Sequence, residues 1–170
     1  IIIPTKNQTV LLQQAVESIY ETVPAELFDL VVIDHESDEP DSLAYLESLK
    51  ADHTILPYQG EFNFSKINNF AVSHLGKHYS NILFLNNDIE AIRTGWFESM
   101  LDKLKRPDVG IVGAVLLYPY NSHQPNQPIR AGGTVDTDSL STHHRIQHAG
   151  VVLGIGNAEH FMKHEVYQDP

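Results

Sequence analysis

An α/β domain with a mainly parallel central sheet and helices on both faces is the fold class this sequence predicts. Two observations carry the prediction. Apolar, β-branched runs alternate with segments of helical period, the order expected of successive βαβ units. Most of those runs are apolar throughout, which suits strands covered on both sides. At 170 residues the chain fits one domain, 1–170, with a sizeable core.

The elements follow in order. Ile1–Ile3 is the first strand expected, and Leu30–Ile33, His53–Leu56, Asn81–Leu85 and Gly110–Leu117 are the next four. Between the first two, Leu12, Val16, Ile19 and Val23 recur every three or four residues, predicting a helix over Thr9–Thr22 with the Thr9 hydroxyl as N-terminal cap. Leu43, Leu46 and Leu49 predict a second helix over Ser42–Lys50, and Ile67, Phe70, Ala71 and Leu75 a third starting near Ser65. A fourth follows Thr94, carries Trp96, Phe97, Met100, Leu101 and Leu104, and stops at Pro107. From Tyr118 to His148 the chain turns to Pro, Gly, Ser, Thr, Asn and Gln, the composition of a long loop or inserted element.

Composition excludes several classes of function. With 11 Lys+Arg against 22 Asp+Glu the net charge is −11, which argues against nucleic acid as a partner, since phosphate-backbone binding draws on basic side chains. An anionic ligand would need a metal cation or backbone N–H groups to offset that field. The absence of Cys excludes disulfides, thiolate zinc sites and a cysteine nucleophile. No apolar run approaches the roughly 20 residues of a membrane span, and no signal peptide is recognisable.

In an open parallel sheet, ligands bind at the carboxyl ends of strands. Three such turns are polar here: Pro4-Thr5-Lys6-Asn7, Asp34-His35-Glu36-Ser37-Asp38 and Asn86-Asn87-Asp88-Ile89-Glu90. They are expected to converge at one edge, where a cluster of Asp34, Asp38 and Asp88 would be repulsive without a cation or ligand donors. Asp88 offers a hard oxygen ligand of the kind that binds Mg²⁺ or Mn²⁺ together with water and a diphosphate. The plainer reading of Asn-Asn-Asp is a polar turn.

The ordered series I-I-I-P-T-K-N, V-V-I-D-H-E-S-D, F-N-F-S-K-I-N-N-F-A, L-F-L-N-N-D-I-E, G-W-F-E-S-M-L, R-P-D-V-G-I-V-G-A-V-L-L-Y-P and I-Q-H-A-G-V-V-L-G resembles glycosyltransferase family 2, of the Rossmann-like GT-A fold. The match runs from Ile1 to about Lys163. The resemblance implies inverting transfer of a sugar from a nucleotide-diphosphate donor, UDP- or TDP-linked, to a saccharide, lipid-linked or protein acceptor. It places Pro4, Thr5 and Asn7 in the donor site's first turn, Asp34 on the base or ribose, Asn86 and Asn87 in the D-x-D-like element, and Asp88 on the metal, Mg²⁺ or Mn²⁺. Asn68 is a further donor contact. A divalent cation would offset the charge growing on the leaving diphosphate. Lys6, Lys66 and Arg93 are the nearest basic side chains and read more simply as solvated surface charges. The family's setting implies a cytoplasmic enzyme, peripheral to the inner face of the membrane through segments outside this chain.

Departures from the family pattern are specific. Asn86 stands where many members have an acid, although L-N-N-D is a recurring variant. His35 and Glu36 replace the amide or acid and the glycine of D-N-G-S or D-D-G-S, and glycine permits a conformation and close approach that glutamate resists. Donor geometry at that turn is therefore expected to be in question. The segment Tyr120–Arg145 is longer than usual. The family's catalytic aspartate lies beyond the matched region, and Asp169 is not at a matching position, so the general base is expected outside the chain, which reads as a donor-binding portion truncated before its acceptor and base segment. A rival of another class is a non-catalytic nucleotide-sugar-binding module. His143, His144, His148, His160 and His164 lack the H-E-x-x-H pattern of a zinc hydrolase, and Gly154-Ile155-Gly156 lacks the third glycine of a dinucleotide fingerprint. Trp96 reads as core or groove wall.

Overall fold

The computed structural model describes residues 1–75, 78–114, 116–117 and 146–148. Contacts divide the chain into two compact units, Ile1–Thr94 and Gly95–Pro170. The first contains β1 (Ile2–Thr5), α1 (Thr9–Thr22), a 3-10 turn (Ala25–Leu27), β2 (Val31–Asp34), α2 (Pro40–Leu49), β3 (Thr54–Pro57) and α3 (Phe64–Leu75).

The three strands are parallel in the order β1-β2-β3, with Ile2 opposite Val31 and Val31 opposite Thr54. On the outer side of β1 the predicted strand Asn81–Leu85 contributes a single parallel bridge, Ile2 to Phe84, through Ile2 N–H to Leu83 O at 2.8 Å and Leu85 N–H to Ile2 O at 2.9 Å. The reason lies in β1. The next ladder bond on that side would come from the N–H of residue 4, and proline has none. Pairing therefore ends one step before Asn86-Asn87-Asp88, and the chain leaves the sheet there.

Strand alternation divides the core. Ile2, Val31 and Ile33 face Ile67 and Ala71 of α3, with Leu56, Tyr58, Phe70, Val72 and Leu75 around them. Ile3 and Val32 point to the other face and are equally buried. Crossovers through α1 and α2 carry the chain from β1 to β3, and the right hand that parallel connections take sets them on that other face. The buried residues Leu12, Ala15, Val16 and Ile19 of α1 and Leu46 and Leu49 of α2 supply its cover. The return from β3 to Phe84 runs through α3 on the first face. Connections thus reverse between β1 and Phe84, the position in such sheets where ligands bind.

Helix boundaries show where local chemistry overrode periodicity. α1 spans the predicted Thr9–Thr22, yet its N-cap is Gln8 in the left-handed conformation with no side-chain cap, and the Thr9 hydroxyl bonds the Ser42 hydroxyl at 2.6 Å instead. α2 begins at Pro40, two residues before the predicted Ser42, because proline suits the first helical turn and holds Glu39 extended before it. α3 begins at Phe64, where the Asn63 Oδ1 accepts the Lys66 N–H at 2.9 Å.

The second unit holds α4 (Trp96–Leu104), entered through the left-handed Gly95 at φ 84°. Phe97 is buried and meets the half-buried Trp96 edge-on at 5.4 Å. β4 (Leu116–Leu117) pairs antiparallel with β5 (Ile146–His148). The expected strand Gly110–Leu117 is thus confined to its last two residues among those described, and Ile146–His148 is strand where loop was expected. The remainder of the Tyr118–His148 segment, His160, His164, Gly154–Gly156 and Asp169 lie outside the described residues. No helix among the described residues is long and apolar enough to cross a membrane.

Candidate functional site

The carboxyl ends of β1 and β2 and the chain leaving Leu85 meet at one edge of the sheet. Thr5, the last residue of β1, is buried; its hydroxyl donates to Asn7 O at 3.1 Å and accepts from Asn87 Nδ2 at 3.1 Å. Asn7 and Gln8 both take the left-handed conformation, φ 54° and 57°, which turns the chain sharply into α1. Asn7 then spans to the second turn. Its N–H donates to Ser37 Oγ at 2.8 Å and its Nδ2 to Asp38 Oδ1 at 2.8 Å. Its Oδ1 accepts the N–H groups of Asp38 at 2.9 Å and Glu39 at 3.2 Å.

The second turn is held internally as well. Asp34 Oδ1 accepts the Ser37 N–H at 3.0 Å, and Asp34 O accepts the Tyr58 N–H at 2.8 Å. One carboxylate oxygen of Asp34 is therefore engaged in shaping the turn, and the other is available to a ligand. His35, only 6% exposed, donates its N–H to Thr5 O at 2.8 Å. Its ring Nε2 lies 2.7 Å from Gly60 O and must carry the proton, since a carbonyl can only accept. The same ring packs near Tyr58 and Phe62, centroids at 5.6 and 5.9 Å. Glu36 adopts φ 56°, so the turn takes the left-handed form despite lacking glycine. This corrects the expectation that glutamate would resist it: the strain, roughly 1–2 kcal/mol for a residue with a Cβ, is borne because flanking hydrogen bonds fix the turn on both sides.

The third turn is more open. Asn87 is half-buried through its bond to Thr5, whereas Asn86 and Asp88 are exposed. Asp34 and Asp38 accept from protein donors, and no three His, Cys, Asp or Glu side chains among the described residues gather as a metal site. The expected cluster of Asp34, Asp38 and Asp88 thus gives way to two carboxylates that each accept a hydrogen bond from the fold through one oxygen, Asp34 and Asp38, and a third, Asp88, that is exposed as Asp38 is. A single carboxylate still fits Mg²⁺ or Mn²⁺, which usually keep several waters and take further oxygens from a substrate's phosphates.

Residues 1–161 of this chain match the family model described as Glycosyl transferase family 2. The chain belongs to glycosyl transferase family 2. It is 33% identical over 159 residues to the uncharacterized protein y4gI of Sinorhizobium fredii, covering 92% of this chain and 15% of that protein. It is 32% identical over 156 residues to the O-antigen biosynthesis protein RfbC of Myxococcus xanthus, covering 91% of this chain and 10% of that protein. The chain therefore spans about a seventh and a tenth of the length of these relatives. Among solved structures, the mannosyltransferase PcManGT of Pyrobaculum calidifontis, in complex with GDP-Man and Mn2+, superposes with a TM-score of 0.51 at 19% identity, over 64% of this chain and 32% of that one. The fold is accordingly the α/β, Rossmann-like GT-A fold.

Within this family 2 glycosyltransferase domain, other predicted site residues fall differently. Pro4 is half-buried in β1, where it pairs with Ile33 and ends the pairing with the Phe84 segment on the other side. Asn68 is 5% exposed; its Nδ2 donates to Phe64 O at 2.9 Å, and its Oδ1 is a buried acceptor with no partner. Lys6, Lys66 and Arg93 are exposed. Sequence reasoning missed Ser37 and Ser42, whose hydroxyls tie the second turn and α2 to the first turn and α1. A local signal existed only for the Ser37 N–H, since Asp followed by a polar turn after a strand favours a side-chain bond to the nearby backbone, whereas the Ser37 hydroxyl reaches a partner 30 residues away.

Proposed function

We propose that this domain binds a nucleoside-diphosphate sugar, UDP- or TDP-linked, at the carboxyl edge of β1 and β2, and transfers the sugar with inversion to an acceptor hydroxyl. The observation that carries the reading is the junction of three polar turns at the reversal point of the sheet, with Asp34 retaining one unengaged carboxylate oxygen and Asp88 exposed in the third turn, which Asn87 ties to Thr5. In this reading Asp34 accepts from the base or ribose, Pro4 and Thr5 line the nucleoside, and Asn68 offers its unpartnered Oδ1 to the donor. Asp88 holds Mg²⁺ or Mn²⁺, whose charge, when bound, would stabilise the leaving diphosphate. The Mn2+ in the mannosyltransferase complex supports a divalent cation, and the GDP-Man there adds guanosine to the nucleotides worth testing. The acceptor is a saccharide, lipid-linked or protein hydroxyl; the O-antigen biosynthesis relative favours a polysaccharide. We place the reaction in the cytoplasm, at the inner face of the membrane, where nucleotide sugars meet lipid-linked acceptors.

Titration calorimetry of UDP, TDP and GDP with and without Mn²⁺, on the wild-type chain and on Asp88→Ala, tests this. Binding that Mn²⁺ strengthens about tenfold or more in the wild type, and that loses this gain in the variant, is expected. Binding to none of the three, or equal metal dependence in Asp88→Ala, contradicts the reading.

A further inference from the structure

We propose that Asn7 is a positioning residue, acting on the donor through the second turn and not by touching it. The inference rests on the nucleotide-binding reading above. Every hydrogen-bonding group of Asn7 except one Nδ2 proton and its main-chain carbonyl's second lone pair is already engaged within the protein. The N–H reaches Ser37 Oγ, Nδ2 reaches Asp38 Oδ1, Oδ1 takes the Asp38 and Glu39 N–H groups, and the main-chain carbonyl accepts from Thr5 Oγ1. The carboxamide has one further proton on Nδ2 and no free acceptor in line for a ligand without giving up a backbone bond of the turn.

What those bonds hold is the strained part of the site. They clamp residues 37–39 on the far side of Glu36, whose φ of 56° has no glycine to ease it, while the His35 ring anchors the near side to Gly60 O. With the turn so clamped, Ser37 N–H stays on one oxygen of Asp34, at 3.0 Å, and the other oxygen is held ready. Asn7 is itself left-handed at φ 54°, so its backbone and its side chain are shaped by the same turn.

The lock makes a reciprocal prediction, because its side-chain contact joins an amide to a carboxylate. Asn7→Gly keeps the left-handed backbone permissible but deletes the carboxamide. Asn7→Asp sets two carboxylates against each other, and Asn7→Asp with Asp38→Asn restores one donor and one acceptor with the roles exchanged. Backbone amide exchange by NMR and UDP and TDP titrations with Mn²⁺ are read on all four proteins. Exchange at Asp38 and Glu39 is expected to quicken about tenfold in Asn7→Gly, nucleotide affinity to fall about tenfold, and both to return to within about twofold of wild type in the exchanged pair. Wild-type exchange at those amides in Asn7→Gly overturns the lock. Restored exchange without restored affinity also overturns the proposal, because it means that Asn7 contacts the nucleotide directly. Failure of the wild type to bind any nucleotide sinks the functional reading instead, while the exchange arm still decides whether the lock exists.

Discussion

The two sides of the site are built differently. The turns after β1 and β2 are cross-linked by Asn7, Ser37, Asp38 and Asp34 and are backed by the buried His35. The Asn86-Asn87-Asp88 turn is tied to them by one side-chain bond, Asn87 to Thr5, and presents Asp88 to solvent. Under the function proposed above, the difference is a division of labour. A planar nucleoside is recognised best by groups fixed before it arrives, because ordering them on binding costs affinity. A hydrated divalent cation and a flexible diphosphate instead bring ligands of their own and need only a carboxylate within reach.

The largest expected effect breaks the fixed side. Glu36→Val places a β-branched residue at φ 56°, a conformation it accepts poorly, and should lower stability by about 1–3 kcal/mol in chemical denaturation. Glu36→Gly, by contrast, should leave stability within about 1 kcal/mol of wild type or raise it. Equal effects of the two substitutions would mean that the turn relaxes out of the left-handed form.

A smaller effect tests why the other side is open. Pro4→Val supplies the missing N–H opposite Leu85 O and lets the ladder continue toward Asn87. The expected result is a newly protected amide at position 4 and added stability of at most about 1 kcal/mol, with Mn²⁺-dependent nucleotide binding weakened as the turn stiffens. An unprotected amide at position 4 would show that something other than proline ends the pairing.

The same contrast explains what could be read from the sequence. α1 was readable to its boundaries because Leu12, Val16 and Ile19 form an uninterrupted apolar stripe, and the second and third strands because they are apolar runs. The shortening of Asn81–Leu85 was not readable locally, since its cause, Pro4, lies about 80 residues upstream and acts through pairing. Family resemblance singled out the three turns, and the structure joins Thr5, Asn7, Asp34 and Asn87 through one hydrogen-bond network. The work Asn7 does was hidden for the same reason as Pro4's. Its partners stand about 30 residues away, and nothing in Pro-Thr-Lys-Asn indicates them. Glu36 shows the limit of residue preference: a local rule against left-handed glutamate yields where neighbouring turns fix the backbone.

In the function proposed above, the nucleoside half of the site is preset and the diphosphate half depends on a cation. Titrating UMP and UDP, each with and without Mn²⁺, separates the two most directly. UMP affinity is expected to be unchanged by Mn²⁺ to within about twofold, and UDP affinity to rise about tenfold or more. UMP binding that requires Mn²⁺ as strongly as UDP binding does would contradict that reading.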